Sequence, residues 1–234
     1  MSGILEGRVA IITGAGGGLG AAHARVFAGE GCAVIVNDIN TEAAQAVVDE
    51  IAAAGGKAEV NSSDITNYDD SMNAVKQAID SFGGLDIVLN NAGVNRDRMF
   101  ASMTEQEWDT IMAVHLKGHF CITSHAVHYW RGQSKEGNAV DARIINTTSG
   151  AGLQGSIGQS NYAAAKAGIA ALTINQAAEL GRYGITANAV APSARTGMTT
   201  AVPEMAERMK KPEVGSFDHF APENVSNQLA WLAS

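Results

Sequence analysis

Short runs of β-branched and aliphatic residues alternate along the chain with longer stretches, rich in alanine, in which apolar positions recur every three or four residues. The short runs predict strands at 8–13, 33–38, 57–61, 86–90, 143–147 and 186–191. The longer stretches predict helices at 18–29, 41–54, 68–82, 104–131, 161–181, 204–210 and 221–233. Thr41 is the expected N-cap of the second helix. The alternation predicts an α/β fold, a doubly wound parallel sheet with helices on both faces.

The chain reads as a single domain over residues 1–234, because no repeat, linker or low-complexity run divides it. Segment 193–220 interrupts the alternation and carries Pro203 and Pro212 around a short helical stretch. Since this segment follows the carboxyl end of the last predicted strand, we expect it to be a substrate-binding lid. An ordinary surface excursion is the alternative.

Composition narrows the classes of function. The chain has 24 acidic and 16 basic residues and a net charge of −8, which argues against nonspecific binding to nucleic acid or to anionic membranes. No stretch is long and apolar enough to span a membrane, and the start lacks the pattern of a signal peptide. Cys32 and Cys121 match no metal-binding spacing. We expect two reduced, buried thiols and a cytoplasmic location.

A glycine-rich loop, Thr13–Gly20, joins the first predicted strand to the first predicted helix. The pyrophosphate of a dinucleotide needs bare backbone N–H groups and a helix N-terminus aimed at it, and side chains would block that approach. Glycine-rich turns are common, but this one lies inside a βαβ unit. The loop therefore predicts a dinucleotide site.

Asp38 closes the second predicted strand, eighteen residues beyond Gly20. A carboxylate at this place accepts hydrogen bonds from the adenosine ribose hydroxyls and repels a 2′-phosphate. Its neighbours Asn37, Ile39 and Asn40 carry no compensating positive charge. We therefore predict NAD as the cofactor in preference to NADP. The alternative is that Asp38 only caps the following turn.

Tyr162 and Lys166 lie four residues apart at the start of a predicted helix, which places the phenol and the ammonium on one helical face. A nearby positive charge lowers the pKa of a phenol and makes it a usable base. Ser149 follows the fifth strand, at the edge where ligands gather in parallel sheets. A Tyr and a Lys at this spacing can also share a solvated face.

These motifs stand in an order that resembles the short-chain dehydrogenase/reductase family, and the similarity covers nearly the whole chain. It rests on Thr13–Gly20, Asn90–Gly93, Ser149, Tyr162 with Lys166, and Pro192–Thr196. Residues 36–38, 95–100, 114–120 and 158–162 are similar to one branch, the (3R)-hydroxyacyl-CoA dehydrogenase domain of peroxisomal multifunctional enzyme type 2 and its bacterial relatives. The resemblance implies a Rossmann-type fold and an oxidoreductase.

The resemblance also implies roles for individual residues. Tyr162 would be the acid/base, Lys166 would lower its pKa and hold the nicotinamide ribose, and Ser149 would hydrogen-bond the substrate oxygen. Asp64 would contact the adenine. The remaining cofactor-binding residues would be Gly14, Gly18, Leu19, Gly20, Asp38, Asn91, Ala92, Gly93, Pro192 and Thr196.

Two departures from the family pattern stand out. His115 replaces the usual asparagine of the catalytic tetrad, whose role runs largely through its backbone carbonyl, so we expect activity to survive. His119 lies four residues further on, but no third ligand accompanies the pair, and we predict no metal site. Family members usually continue with a final strand, whereas this sequence stops at Ser234. We therefore expect the C-terminal strand to be missing.

The predicted reaction interconverts a secondary alcohol and a ketone with NAD, on a (3R)-3-hydroxyacyl-CoA thioester. A 3-oxoacyl-carrier-protein reductase, a steroid alcohol dehydrogenase and a catalytically silent nucleotide-binding module remain alternatives. In the lid, flexible methionines suit an acyl or steroid body, and basic side chains suit the phosphates of CoA. Those residues are Met198, Val202, Met205, Met209, Arg208, Lys210 and Lys211. Alternatively, the apolar residues belong to the core and the basic residues to a solvated helix end.

The resemblance further implies a homodimer or homotetramer, paired through 104–131 and 161–181.

Overall fold

The computed structural model describes residues 3–201 and 203–234, apart from the side chain of Met198. Six strands form one parallel sheet in the order β3-β2-β1-β4-β5-β6. Each begins and ends within one residue of its predicted bounds: β1 Val9–Thr13, β2 Ala33–Asn37, β3 Lys57–Asn61, β4 Ile87–Asn90, β5 Ala142–Thr147 and β6 Ile185–Val190. The Rossmann-type doubly wound sheet is confirmed. In the described ranges only helices follow β6.

Ten α-helices cover the described parts of the chain, several of them very short. They are α1 Gly18–Gly29, α2 Thr41–Ala53, α3 Tyr68–Phe82, α4 Glu105–Ile111, α5 Gly118–Lys135, α6 Gly150–Gln154, α7 Ser160–Leu180, α8 Gly197–Thr200, α9 Pro203–Arg208 and α10 Pro222–Ala233. Single 3₁₀ turns lie at Phe100–Ser102 and Gly181–Tyr183. No helix in the described ranges is both long and apolar enough to cross a membrane.

Three local predictions need correction. Asn40, and not Thr41, caps α2, because its side chain accepts a hydrogen bond from the backbone N–H of Ala43. The predicted helix at 104–131 is two helices joined by a π-helical turn, Met112–Lys117, and it continues to Lys135. The short helix α6 was not predicted, since its glycines disfavour helix and gave no periodic signal.

Side chains of the central strands alternate between two apolar cores, one on each face of the sheet. Ile12, Val34 and Leu89 pack with Phe27 of α1 and Leu229 of α10 on one face. On the other face, Ile11, Val88 and Ile144 pack with the helices α3 and α5. Burial on both faces explains why the strands read as continuous apolar runs rather than as alternating patterns. The predicted burial of both cysteines is confirmed, and neither forms a disulfide.

The strand order places β1 beside β4 in the middle of the sheet. The connections from β1 and from β4 run in opposite directions across the sheet, so a crevice opens between them at the carboxyl ends of the strands. In open α/β sheets this crevice is where ligands bind.

Segment 193–220 is tied together at its base by Arg195. Its backbone N–H donates to the carbonyl of Phe220 at 2.7 Å, and its guanidinium donates to the carbonyl of Met209 at 2.9 Å. The guanidinium also forms an ion pair with Asp218. Met209 is buried inside this fold and is a core residue, one of the two readings left open for it. Val202 and the side chain of Met198 lie outside the described residues.

Candidate active site

A cavity of about 350 Å³ lies in the crevice at the carboxyl ends of the strands. Most of the predicted site residues line it: Gly14, Gly18, Leu19, Asp38, Asn91, Gly93, His115, Tyr162, Lys166 and Thr196. The structure adds Gly17, Thr147 and Gly197. A larger cavity, of about 450 Å³, is lined by residues such as Arg25 and Lys57 at the opposite edge of the sheet and contains none of the predicted residues. The crevice is therefore the candidate site.

Five predicted residues do not line this cavity: Gly20, Asp64, Ala92, Ser149 and Pro192. The side chain of Asp64 is exposed and accepts hydrogen bonds from the backbone N–H and the hydroxyl of Thr66, both at 2.8 Å. Ser149 caps α6, where its hydroxyl oxygen accepts from the N–H of Ala151 at 3.2 Å. The roles of these residues stay predictions.

The glycine turn is built so that helix α1 can begin directly against the end of β1. A Cβ added at Gly20 would lie 2.1 Å from the carbonyl oxygen of Gly14 and 2.6 Å from the amide nitrogen of Asn91. Only glycine fits there without moving backbone. Gly20 thus contributes by close packing behind the turn, while Gly14 and Gly18 face the cavity.

Asn91 and Thr13 join the ends of the two central strands. The Asn91 amide donates to the backbone carbonyls of Thr13 and Gly14 at 3.0 and 3.2 Å. In return, the Thr13 hydroxyl oxygen accepts from the backbone N–H groups of Asn91 and Ala92. This exchange fixes the floor of the crevice and explains why Ala92 lies behind the cavity rather than in it.

Asp38 follows β2 and lines the crevice beside the glycine turn. One carboxylate oxygen accepts from the backbone N–H of Gly16 at 2.9 Å, and the other accepts from the N–H of Asn40 at 2.9 Å. The carboxylate therefore holds the glycine turn and also caps the turn that follows, whereas its contact with a ribose stays a prediction. Its place is suited to a ribose, and the turn beside it to a pyrophosphate. The residues present fit a dinucleotide.

Lys166 is buried, with 2% of its side chain surface exposed. Its ammonium donates to the backbone carbonyl of Thr147 at 2.5 Å and lies 5.6 Å from the centre of the Tyr162 ring. Burial lowers the pKa of Lys166 to about 7. The amine is therefore held at one fixed point between β5 and the phenol, and near neutral pH it exchanges readily between its charged and neutral forms.

Tyr162 faces Ser149 and Lys166 from the first turn of α7. Burial raises the pKa of Tyr162, and the Ser149 side chain opposes that rise. Burial dominates the phenol pKa here, and the amine lies 5.6 Å from the centre of the ring with its own pKa lowered to about 7 by burial. The lowering of the phenol pKa by Lys166 stays a prediction.

His115 is buried within the π-helical turn and forms a wall of the cavity. Its Nε2 lies 2.8 Å from the carbonyl oxygen and 3.1 Å from the nitrogen of Val94, and its ring meets that of Tyr162 edge-on at 5.1 Å. A Cβ at Gly93 would lie 2.5 Å from the His115 ring. Burial lowers the pKa of His115 to about 3, so the ring is neutral near pH 7. Sequence reasoning weighed its backbone carbonyl and a metal pair with His119 but missed that the side chain holds the loop after β4.

Comparison with known proteins agrees with this fold. Residues 8–207 match the family model described as short chain dehydrogenase. The chain belongs to the short-chain dehydrogenase family. The sequence resemblance is thereby confirmed, and the family consists of oxidoreductases, so the protein is a short-chain dehydrogenase/reductase enzyme with a small-molecule substrate.

Three similar proteins show how far the likeness extends. The chain is 47% identical to hydroxyacyl-CoA dehydrogenase ChsB1 of Mycobacterium tuberculosis, over 98% of this chain and 74% of that protein. It is 42% identical to peroxisomal multifunctional enzyme type 2 of Mus musculus, over 97% of this chain but only 30% of that larger protein. The crystal structure of a short chain dehydrogenase from Mycobacterium avium superposes with a TM-score of 0.89 at 54% identity, covering 99% and 79% of the two chains.

Proposed function

We propose that this short-chain dehydrogenase uses NAD to interconvert a secondary alcohol and a ketone, with a (3R)-3-hydroxyacyl-CoA thioester as substrate. The observation that carries the proposal is that Tyr162 and Lys166 line the crevice that the glycine turn opens, with the Ser149 side chain beside the Tyr162 phenol. The likeness to hydroxyacyl-CoA dehydrogenase ChsB1 supports the substrate class.

The chain's own residues would divide the work as follows. The Ser149 hydroxyl hydrogen-bonds the substrate oxygen. During oxidation the Tyr162 oxygen, once it has given up its own proton, takes the proton of the substrate hydroxyl. Lys166, fixed by the Thr147 carbonyl, holds the cofactor ribose and exchanges protons with the crevice because its pKa lies at about 7. When bound, the nicotinamide supplies the acceptor for the hydride that leaves the carbinol carbon.

The choice of NAD rests on Asp38. Its carboxylate is fixed in place by two backbone N–H groups, of Gly16 and Asn40, so it cannot easily swing away from an incoming nucleotide. A 2′-phosphate would meet this negative charge, whereas the two ribose hydroxyls of NAD can donate to it.

The thioester part of the proposal rests on segment 193–220, which we propose is the substrate-binding lid. Met205 is half-buried within it, and Arg208 and Lys211 are exposed near the end of α9. Lys210 is paired with Glu207 at 2.6 Å. Exposed guanidinium and ammonium groups suit the phosphates of a ligand, and the half-buried Met205 suits an apolar body.

A substrate panel tests the proposal. The purified protein is given NAD and either a (3R)-3-hydroxyacyl-CoA, its (3S) isomer, or a free secondary alcohol of similar size, and NADH absorbance is followed. We expect the (3R) thioester to give the highest kcat/KM. Equal kcat/KM for the free alcohol would contradict the thioester assignment, and no NADH from any secondary alcohol would contradict the reaction itself.

Assembly is a further part of the proposal. We infer a homodimer or homotetramer that pairs through α7, where Ala163, Ala164, Ala167 and Gly168 are small enough for two helices to approach closely, and through α5. Ile174, on the same helix, is 72% exposed in the single chain. A monomer by light scattering at micromolar concentration would contradict this assembly.

A further inference from the structure

Asn161 is the residue directly before Tyr162 in the first turn of α7, and it is fully buried. A buried amide is stable only where its donors and its acceptor all have partners. Every polar function of this side chain is used. The location of its partners in the fold indicates the role of Asn161.

The three partners of Asn161 lie on three different elements. Its amide nitrogen donates to the backbone carbonyl of Arg96 at 3.1 Å and to that of Glu107, in α4, at 3.2 Å. Its amide oxygen accepts from the backbone N–H of Tyr162 at 2.8 Å. One side chain thus connects the segment after β4, helix α4 and the residue that carries the phenol.

The segment after β4, residues 94–99, which we call the 94–99 loop, also docks along the start of α7. The N–H of Arg98 donates to the carbonyl of Gly158 at 2.7 Å, and the Gln159 side chain donates to the carboxylate of Asp97 at 3.0 Å. At its other end the loop is held by His115, through Val94. Among these contacts, those of Asn161 are made by a fully buried side chain directly before Tyr162 in the chain.

We propose that Asn161 is a positioning residue, which fixes the first turn of α7, and with it the Tyr162 phenol, against the 94–99 loop. The inference rests on the proposed function, because it takes Tyr162 to be the acid/base. The backbone N–H of Tyr162 lies in the first turn of α7, where it has no partner within the helix. Asn161 supplies that partner, and its two donors tie the same turn to the loop and to α4.

The charged and titratable groups that face Tyr162 make this placement measurable. Lys166 lies on α7 itself, His115 on the π-helical turn and Asp97 on the 94–99 loop. His115 is neutral and buried, so its contribution does not change near neutral pH. The Asp97 carboxylate raises the pKa of Tyr162 from its place on the loop. Release of the loop therefore lowers the pH at which the phenol ionises.

The test is Asn161→Asp, which keeps the shape and the oxygen that accepts from Tyr162 but removes the amide donors to Arg96 and Glu107. We expect kcat to fall about 10- to 100-fold, the effect of a misplaced reacting group. The Kd for NAD should stay within about twofold, because Asp38 and the glycine turn lie elsewhere in the crevice. Asn161→Ala should lower kcat in the same way. The pH profile is read from Asn161→Ala, because this variant adds no carboxylate beside the phenol: the acidic limb of kcat should move to lower pH, since Asp97 is no longer held near Tyr162.

Asn175→Asp is the matched control. It makes the same chemical change on the same helix, where the exposed Asn175 amide donates only to the carbonyl of Ala171, and it should leave kcat and the pH profile unchanged. Tyr162→Phe is measured in parallel, because full activity there would remove the proposed function itself. If Tyr162→Phe is inactive, wild-type kcat in both Asn161 variants together with an unmoved limb in Asn161→Ala would overturn only the positioning role. Failure of both Asn161 variants to fold would also overturn it, since the role would then be structural.

Discussion

The ammonium of Lys166 lies 2.5 Å from the carbonyl oxygen of Thr147, the last residue of β5. This single hydrogen bond fixes the amine at the inner end of the crevice, where nearly all of the side chain is shielded from water. Shielding penalises the charged amine, so its pKa falls from an ordinary 10.5 to about 7.

The pKa of Lys166 makes the stability of the fold depend on pH. Between about pH 7 and 10.5 the unfolded chain binds a proton here that the folded chain does not, so the free energy of unfolding rises with pH across this window. From pH 7 to pH 9 we expect the wild type to gain about 2 kcal/mol relative to Lys166→Met. Urea unfolding of both proteins at the two pH values measures this. A constant difference between them would show that the amine titrates at its ordinary pKa.

Tyr162→Phe should lower kcat by about 10²- to 10⁴-fold, because the phenol oxygen that exchanges the proton is removed. The Kd for NAD should change little, since the ring still packs against His115. Steady-state kinetics and NAD titration on the same preparation separate these two effects. A variant that keeps wild-type kcat would exclude Tyr162 as the acid/base.

Asp38→Ala should weaken NAD binding by about 1.5–3 kcal/mol, the value of a hydrogen bond to a charged group. The preference for NAD over NADP should narrow, because the charge that repels a 2′-phosphate is lost. Calorimetric titration with each nucleotide measures both. Asp49→Ala is the control, since this exposed carboxylate on α2 accepts only from Gln45. Tighter binding of NADP than NAD by the wild type would contradict the cofactor assignment.

Joint replacement of Arg208, Lys210 and Lys211 by Gln should raise KM for an acyl-CoA roughly tenfold, as charge-assisted contacts to phosphate are lost. The kcat should be retained, because these side chains lie outside the crevice. A second triple variant with the same change of charge, at Lys57, Lys76 and Lys135, should leave KM unchanged. Equal KM in both triple variants would remove the phosphate contact but not the dehydrogenase activity.

Much of the fold is visible in the sequence because buried parallel strands leave a strong signal. Strand β3 and helix α3 begin and end at the predicted residues. The end of α5 was placed four residues early, at Arg131, because the polar residues up to Lys135 suit a helix and a loop equally well. Capping was misplaced by one residue at Asn40, since both Asn and Thr are good N-caps and only the backbone decides between them.

The site could be predicted as a set of residue types but not as a set of contacts. Tyr162 and Lys166 can be predicted from their spacing along one helix. The contacts of Asn161 with Arg96 and Glu107 join residues 65 and 54 positions apart, which no local pattern records. The burial that raises the Tyr162 pKa could not be predicted either, because a sequence shows the neighbouring charge but not how deeply the phenol lies.

The π-helical turn at Met112–Lys117 contains one residue more than an α-helix would need to cover the same rise. Such an insertion is tolerated in a helix only where other contacts compensate for its weaker hydrogen bonding. Here those contacts are made by His115, which lies within the turn. Deletion of Ala113 should therefore give a continuous helix from α4 into α5 and a more stable protein. The same deletion would turn His115 away from Val94 and Tyr162. Stability gained together with activity lost would mark this turn as an insertion that is retained for catalysis.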